Sequence, residues 1–380
     1  MQGFLRSKLV LSLAAFVLIA AVIAIPLSGS SAHLHAQAPT PTPIPTPTPT
    51  PTFSGLHVSG NKLVNMQGQT VVLHGVNRSG TEYMCVQGNG IFDGPSDVPS
   101  VQAIKSWNVN VVRIPLNEDC WLNINGVLSQ YSGINYQTAI VNYVNILTQN
   151  NLYAILDLHW SAPGGTPATG QEPMPDADNA SAFWSSVATT FLGNNNVLFD
   201  VFNEPQLTNS TASWQCWKNG GICKGIAFPT VGMQSLVTTI RNTGASNVIL
   251  LGGLQYANNL SDWLKYKPVD PLNNLAASWH VYPQSNPCHT TSCYQKQVAP
   301  VANRVPLIAG EIGESADGSV CGVSETNTVL NWLDKHQASY LAWAWDTWGT
   351  SCGDLSLITD YTGTPKSPNG VNYQSHLLNM

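Results

Sequence analysis

Residues 197–205 read VLFDVFNEP and residues 305–313 read VPLIAGEIG. Each is a largely apolar run that delivers a glutamate at its end, Glu204 in the first and Glu311 in the second. Such runs suit strands buried on both faces of a parallel sheet. A carboxylate at the end of a buried strand is costly unless it reaches solvent, a partner or a ligand. Six further short runs have the same character: Thr70–Asn77, Asn110–Leu116, Tyr153–His159, Val248–Gly252, Leu275–Tyr282 and Tyr340–Asp346. Between them, Ser100–Trp107, Tyr136–Gln149, Ala180–Phe191, Val231–Asn242 and Glu325–His336 place apolar residues at three- and four-residue spacing, which predicts helices. Every strand is followed by enough chain for a crossover. Eight such units predict an α/β fold, a single (β/α)8 barrel of the TIM type. Leu56–Asn65 (LHVSGNKLVN) reads as a small N-terminal hairpin turning at Gly60-Asn61, placed to floor the barrel.

Nearly all the strand-like runs finish in polar or aromatic residues: Asn77-Arg78, Arg113, His159-Trp160, Asn203-Glu204, His280 with Tyr282, Glu311 and Trp345-Asp346. In a barrel the C-terminal strand ends share one rim, where such folds keep their chemistry. Two glutamates on that rim can face each other across a sugar, one as acid for the leaving oxygen and one as carboxylate for the anomeric carbon or for water. Arg113 can hold a carboxylate ionised and aimed. Asn203, His159 and His280 suit sugar hydroxyls, Tyr282 can donate to a carboxylate, and Trp345 and Trp160 offer flat apolar faces.

Composition agrees with a neutral partner. Only 9% of the 380 residues are charged, while 12 Trp and 12 Tyr are present. Of the 15 basic residues, Arg6 and Lys8 precede Phe53, leaving 13 against 21 acidic ones from there on. That balance carries no electrostatic footprint for nucleic acid. The surface is expected to be rich in Trp, Tyr, Asn, Ser and Thr.

The basic flank of Arg6 and Lys8, the apolar run Leu9–Leu27 and the small residues after it predict an export signal or an uncleaved membrane anchor over residues 1–37. Either places the rest outside the cell, secreted or tethered at its surface. Residues 38–52 form a Pro/Thr-rich linker, an extended spacer. Residues 53–380 form the single folded domain, expected to be a monomer. Eight cysteines follow the linker, with no C-x-x-C pair, so zinc ribbons and dithiol redox motifs are disfavoured. In an exported chain an even count reads as disulfides. The short spacings of Cys216/Cys223 and Cys288/Cys293 suggest local staples, which leaves Cys85/Cys120 and Cys321/Cys352.

The runs VVRIPL, LDLHW, FNEP, HVYP, AGEIG and AWAWD together resemble, in order and over about Leu56 to Tyr361, the motifs of glycoside hydrolase family five, the cellulase-type family. That resemblance implies Glu204 as general acid/base after the fourth strand and Glu311 as nucleophile after the seventh. Arg113, His159, Asn203, His280, Tyr282 and Trp345 would complete the site. It also implies retention through a double displacement, with no cofactor and with the two carboxyls about 5–5.5 Å apart.

The resemblance thins in the loops. The segment 78–95 carries Glu82, and NEDCWL carries Asp119; both acids are candidate ligands for sugar hydroxyls, and solvated loop acids are the alternative. A Cys85–Cys120 bond would clip these loops over one end of the cleft. The expected substrate is an oligo- or polysaccharide. Endo-hydrolysis of β-glucan or β-mannan and exo-cleavage of a terminal sugar such as a galactofuranoside or arabinofuranoside both remain open, as does a barrel that binds sugar without cutting it. Two motifs carry no chemistry: GTSCG at 349–353 lacks the strand–turn–helix setting of a nucleophile elbow, and Asp176, Asp178 and Asn179 lack the spacing of a calcium loop.

Overall fold

The computed structural model describes residues 53–349, 351 and 353–380. The expected export signal or anchor, the expected linker and Cys352 lie outside the described residues. The eight expected runs form the strands β1 (His74–Asn77), β2 (Val111–Asn117), β3 (Tyr153–Trp160), β4 (Val197–Asp200), β5 (Ile249–Gly252), β6 (Leu275–Val281), β7 (Leu307–Ile312) and β8 (Ser339–Ala342). All eight pair in parallel and close into a barrel in chain order, β8 returning to β1.

Alternation along each strand sorts its residues into two populations. Val112, Ile114 and Leu116 of β2, Ala154, Leu156 and Leu158 of β3, and Ala277, Trp279 and Val281 of β6 face outward into the large core shared with the helices. Val111, Tyr153, Ile155, Leu198, Leu250, Ala276, Ile308 and Leu341 face inward and fill the N-terminal half of the barrel as a separate apolar cluster. Leu56 and Leu63 of the hairpin, which pairs His57–Ser59 with Lys62–Val64, belong to that cluster, so the hairpin does floor the barrel. One step further along the same inward columns the chemistry changes. Arg113 follows Val111, Asp157 follows Ile155, Asp200 follows Leu198 and Ser278 follows Ala276, all fully buried. The barrel is therefore apolar at one end and charged at the other.

The helices surround it. Val98–Lys105 starts on Asp97, whose side chain accepts from the Ser100 N–H, and Ile134–Gln149 buries Tyr136, Ile140, Tyr143, Val144 and Leu147 at helical spacing. Ala180–Thr190 and Ser324–Lys335 match the expected helices to within a residue. The helix expected from Val231 starts at Met233, because Val231 pairs with Gly220 in a two-stranded ribbon. Between β5 and β6 the only helix is the single turn Trp263–Tyr266, and Asn369–Leu378 follows β8. No helix among the described residues is long and apolar enough to cross a membrane.

The tryptophans correct the compositional reading. Trp107, Trp121, Trp184, Trp214, Trp217, Trp263, Trp279 and Trp345 are all fully buried. Several donate their indole N–H to strand-end carbonyls, Trp184 to Val201, Trp217 to Gly252 and Trp263 to Leu251 at 2.8–2.9 Å. A core short of charged residues uses the indole both as apolar bulk and as a hydrogen-bond donor. Most of the tryptophan content is thus scaffold.

Disulfides Cys85–Cys120, Cys216–Cys223 and Cys288–Cys293 form as the spacings suggested. The first joins the loop after β1 to the short helix after β2. The fourth expected pair involves Cys352 and so falls outside the described residues.

Candidate active site

Glu311 reaches the cleft through a local irregularity. On β7, Ile308 faces inward and Ala309 outward, so strict alternation would turn Glu311 outward. The register shifts against both neighbours: Trp279 pairs with Ala309 but His280 with Glu311, and the β7–β8 ladder breaks over the same residues. Gly310 is the extra residue of a bulge, and the bulge turns Glu311 inward and Ile312 back to the outer core. Glycine suits the position, since a Cβ on residue 310 would stand 3.0 Å from His280 Nε2 and 3.1 Å from Ser278 Oγ and would press on both.

Both oxygens of Glu311 are held. Oε1 accepts from Arg113 Nη1 at 2.8 Å, and Oε2 accepts from the Tyr282 hydroxyl at 2.7 Å. Burial pushes the Tyr282 phenol well above its ordinary value, so it stays a donor. Arg113 Nη2 donates to Asn203 Oδ1 at 2.9 Å. This sets the amide of Asn203 so that its NH2 points toward His159 Nε2, 3.5 Å away, and into the cleft. Asn77 ties the strand ends together, accepting from Arg113 at 3.0 Å and donating to the carbonyls of Gly310 and Ala342.

Glu204 sits opposite. Its Oε1 lies 2.9 Å from His280 Nδ1, and one oxygen each of Glu204 and Glu311 and a ring nitrogen of His280 lie within 4.8 Å of one another. Burial pushes Glu204 up to about 7 and His280 down to about 3. The imidazole is therefore neutral and donates from one nitrogen only. With Nδ1 donating, Oε1 acts as acceptor and the acid proton belongs on Oε2. A carboxyl that keeps its proton to about pH 7 can serve as acid, beside a second carboxylate fixed by a guanidinium and a phenol. An approach of one oxygen from each carboxyl to within 4.8 Å fits the close pairing in which one carboxylate attacks carbon directly, with the carboxyl groups about 5–5.5 Å apart. It follows that kcat/KM on a substrate with a poor leaving group should fall as pH rises through about 7, where Glu204 loses its proton. A profile flat to pH 9 would contradict this assignment.

Most of the residues expected at the rim are brought together: Glu204, Glu311, Arg113, His159, Asn203, His280 and Tyr282. Trp345 is not among them. It is fully buried, edge-on to Trp107 at 4.8 Å and packed beneath Gly363. The tryptophan in the cleft is Trp343, half-buried and stacked on the His159 ring at 5.2 Å with 10° between planes. Strand β8 ends at Ala342, and beyond it alternation no longer says which of two tryptophans turns inward. Trp343→Ala should cost about tenfold in kcat/KM, about 1.4 kcal/mol, at unchanged melting temperature. Trp345→Ala should instead lower stability by about 3–5 kcal/mol. Thermal melts and kinetics on the two variants separate these roles.

Trp160 is half-buried at the end of β3, its ring 6.3 Å from Tyr83. The Tyr83 hydroxyl accepts from Trp348 Nε1 at 3.2 Å, and the Trp348 ring is 6.2 Å from Trp343. Half-buried aromatic rings thus run from Trp160 through Tyr83 and Trp348 to Trp343, a wall that singling out Trp345 missed. Glu82 is nearly fully buried beside this wall. It accepts from the Gly80 N–H at 2.7 Å and from Ser79, and burial pushes it up to about 7. Asp119 is a correction. It is fully buried, accepts from the Ala168 N–H at 2.8 Å and from Asn125 at 2.9 Å, and holds loops together rather than presenting itself to a ligand.

The end of the wall is clamped. Arg78 donates to Asp93 Oδ1 at 2.6 Å, approaches Asp346 at 3.9 Å and lies over the Tyr361 ring at 4.8 Å. The loop after β1 and the loop after β8 are thereby joined.

Comparison with known proteins gives a consistent picture. The family model described as Cellulase (glycosyl hydrolase family 5) matches residues 64–349. A mannan endo-1,4-β-mannosidase from Salipaludibacillus agaradhaerens is 23% identical over 319 residues, covering 82% of this chain and 87% of that protein. An endoglucanase from Streptomyces lividans is 24% identical over 299 residues, covering 76% of this chain and 56% of that protein. Among solved structures, a β-glucanase from Saccharophagus degradans superposes with a TM-score of 0.63 at 20% identity, covering 88% of this chain and 98% of that one. At that identity the superposition speaks for the fold alone.

Proposed function

Because the chain belongs to the cellulase family, glycosyl hydrolase family 5, we propose that it is a retaining endo-hydrolase of β-linked glucan or mannan. The observation that carries the reading is the opposed pair itself: Glu311 held at both oxygens by Arg113 and Tyr282, and Glu204, pushed up to about 7, with one oxygen within 4.8 Å of it.

In the first step a Glu311 oxygen attacks the anomeric carbon. The bond to the leaving oxygen breaks as Glu204 gives it a proton, and a glycosyl ester forms on Glu311. In the second step Glu204, now a carboxylate, takes a proton from water. That water attacks the anomeric carbon and releases Glu311, so the configuration is retained after two inversions. Arg113 and Tyr282 orient the nucleophile and take up its charge as it leaves, which is electrostatic preorganisation rather than a proton transfer. The aromatic rings from Trp160 to Trp343 give a neutral sugar flat apolar faces. In the same reading, residues 1–37 export the chain and the hydrolase acts outside the cell.

The relatives named above act on mannan and as endoglucanase, which favours those two polymers as first substrates. The test is product analysis on β-glucan, β-mannan, xylan and aryl furanosides. Early release of mixed oligosaccharides from glucan or mannan is expected. Release of single sugars only would turn the joined loops after β1 and β8 into the wall of an exo-acting pocket. No hydrolysis of any member of the panel would leave a sugar-binding barrel.

A further inference from the structure

Beneath the catalytic pair, one cation faces too many acids. The guanidinium of Arg113 has five N–H groups and all are taken: Nε by Asp200 at 3.3 Å, Nη1 by Asn77 and Glu311, Nη2 by Asp157 at 3.0 Å and by Asn203. Three of these five acceptors are carboxylates. Asp157 and Asp200 are directly paired in register on β3 and β4, both fully buried, and both point at the same Nη2, at 3.0 and 3.2 Å. In each, only Oδ2 is engaged. That of Asp157 also meets His159 Nδ1 at 2.9 Å, and that of Asp200 meets Ser278 Oγ at 3.2 Å. Both Oδ1 atoms are buried without a hydrogen-bond partner.

Among the described residues, Arg113 is the one permanently charged cation that meets them. His280 is neutral, burial lowers His159 as well, and Ser278, Asn77 and Asn203 carry no charge. The remaining ionisable neighbours are the acids Glu311 and Glu204 and the buried phenol of Tyr136, which burial pushes up and keeps neutral. Two adjacent buried carboxylates sharing part of one guanidinium cannot both stay ionised cheaply, and an unpartnered oxygen on each marks where a proton would reside.

We propose that Asp157 and Asp200 hold one proton between them, and that this proton keeps Arg113 committed to the nucleophile Glu311. The two aspartates are positioning residues: they touch neither sugar nor reacting atoms and act through Arg113. The functional half of this inference rests on Glu311 being the nucleophile; the proton itself does not. Burial pushes each aspartate up to about 7, in keeping with retention of that proton at mildly acid pH. When it leaves, a second full negative charge competes for Arg113 from below and loosens its hold on Glu311.

Infrared difference spectra at pH 6 test the proton. Asp157→Asn and Asp200→Asn should each remove one protonated-carboxyl band of the wild type, because the single aspartate that remains pairs alone with Arg113 and ionises. The double variant should remove no more. Neutron diffraction on the unsubstituted protein gives the same answer without relying on variants folding: a deuteron on one Oδ1 of the pair is expected, and two bare carboxylates would overturn the proposal.

The pH profile tests the role. With a dinitrophenyl glycoside the leaving group needs no proton, so Glu204 drops out of the first step. Wild type should still lose kcat/KM above about pH 7, about tenfold per pH unit, and Asp200→Asn should be flat to within about twofold over the same range. A wild-type profile with no such limb, or an identical limb in the variant, refutes the positioning role. A band with no hydrolysis of any glycoside would sink the enzymatic reading while leaving the proton in place; normal hydrolysis without the band does the reverse.

Discussion

Glu311→Gln is expected to abolish turnover, with a loss of at least about 10⁴-fold in kcat, the scale seen when a nucleophile acting in concert with its partners is removed. The side chain keeps its size and place, and Arg113 on β2 and Tyr282 just past β6 keep their positions. What is lost is the negative charge that makes a side-chain oxygen nucleophilic enough to form the glycosyl ester. The neutral amide also cannot accept from both Arg113 and Tyr282 as the carboxylate does. Melting temperature should change little, because Arg113 still has the Asp157–Asp200 pair, with its one negative charge, as counter-ion. A variant that folds and turns over at the wild-type rate would remove Glu311 from the mechanism.

Glu204→Ala should split by leaving group. On glucan or mannan, where the departing oxygen needs a proton, kcat/KM should drop by about 10²–10⁴-fold. On a dinitrophenyl glycoside the first step needs no acid and should proceed nearly as in wild type. The second step then lacks its base, so the variant should show a burst of dinitrophenol followed by a slow steady state, the mark of an accumulating covalent intermediate. Azide, a nucleophile that needs no base and fits the space left by the side chain, should restore the steady rate. Equal losses on both substrates, with no burst, would mean that Glu204 acts in some other way.

The barrel was legible because its eight strands are short apolar runs bounded by polar residues, a pattern that survives without knowing the pairing. Arg113, His159, His280 and Tyr282 were legible for the same reason, each lying where such a run ends. Glu311 was readable as a motif but not as a geometry. Period-two counting from Ile308 sends it outward, and only the extra residue at Gly310 brings it in. Trp345 failed where strand order fails, one turn of chain beyond β8, and Trp343 took its place. Asp119 stood as a candidate sugar ligand, or else a solvated loop acid, because nothing local announces that Ala168 and Asn125 will engage it. Asp157 and Asp200 were passed over because each looks like an interruption in an apolar run. Their meaning depends on sharing an inward column with Ile155 and Leu198 and on both meeting the same arginine across the barrel.

The central claim is that Glu311 becomes covalently glycosylated while Glu204 serves as acid and base. It is tested most directly by incubating the protein with an activated 2-deoxy-2-fluoro glucoside or mannoside, which forms the ester but hydrolyses slowly, and mapping the adduct by mass spectrometry of the peptides. One sugar per chain on the peptide that contains Glu311, absent from Glu311→Gln and accumulating faster than it decays in Glu204→Ala, is the expected result. An adduct on another residue, or none in a protein that rapidly cleaves the matching unfluorinated glycoside, would contradict the account.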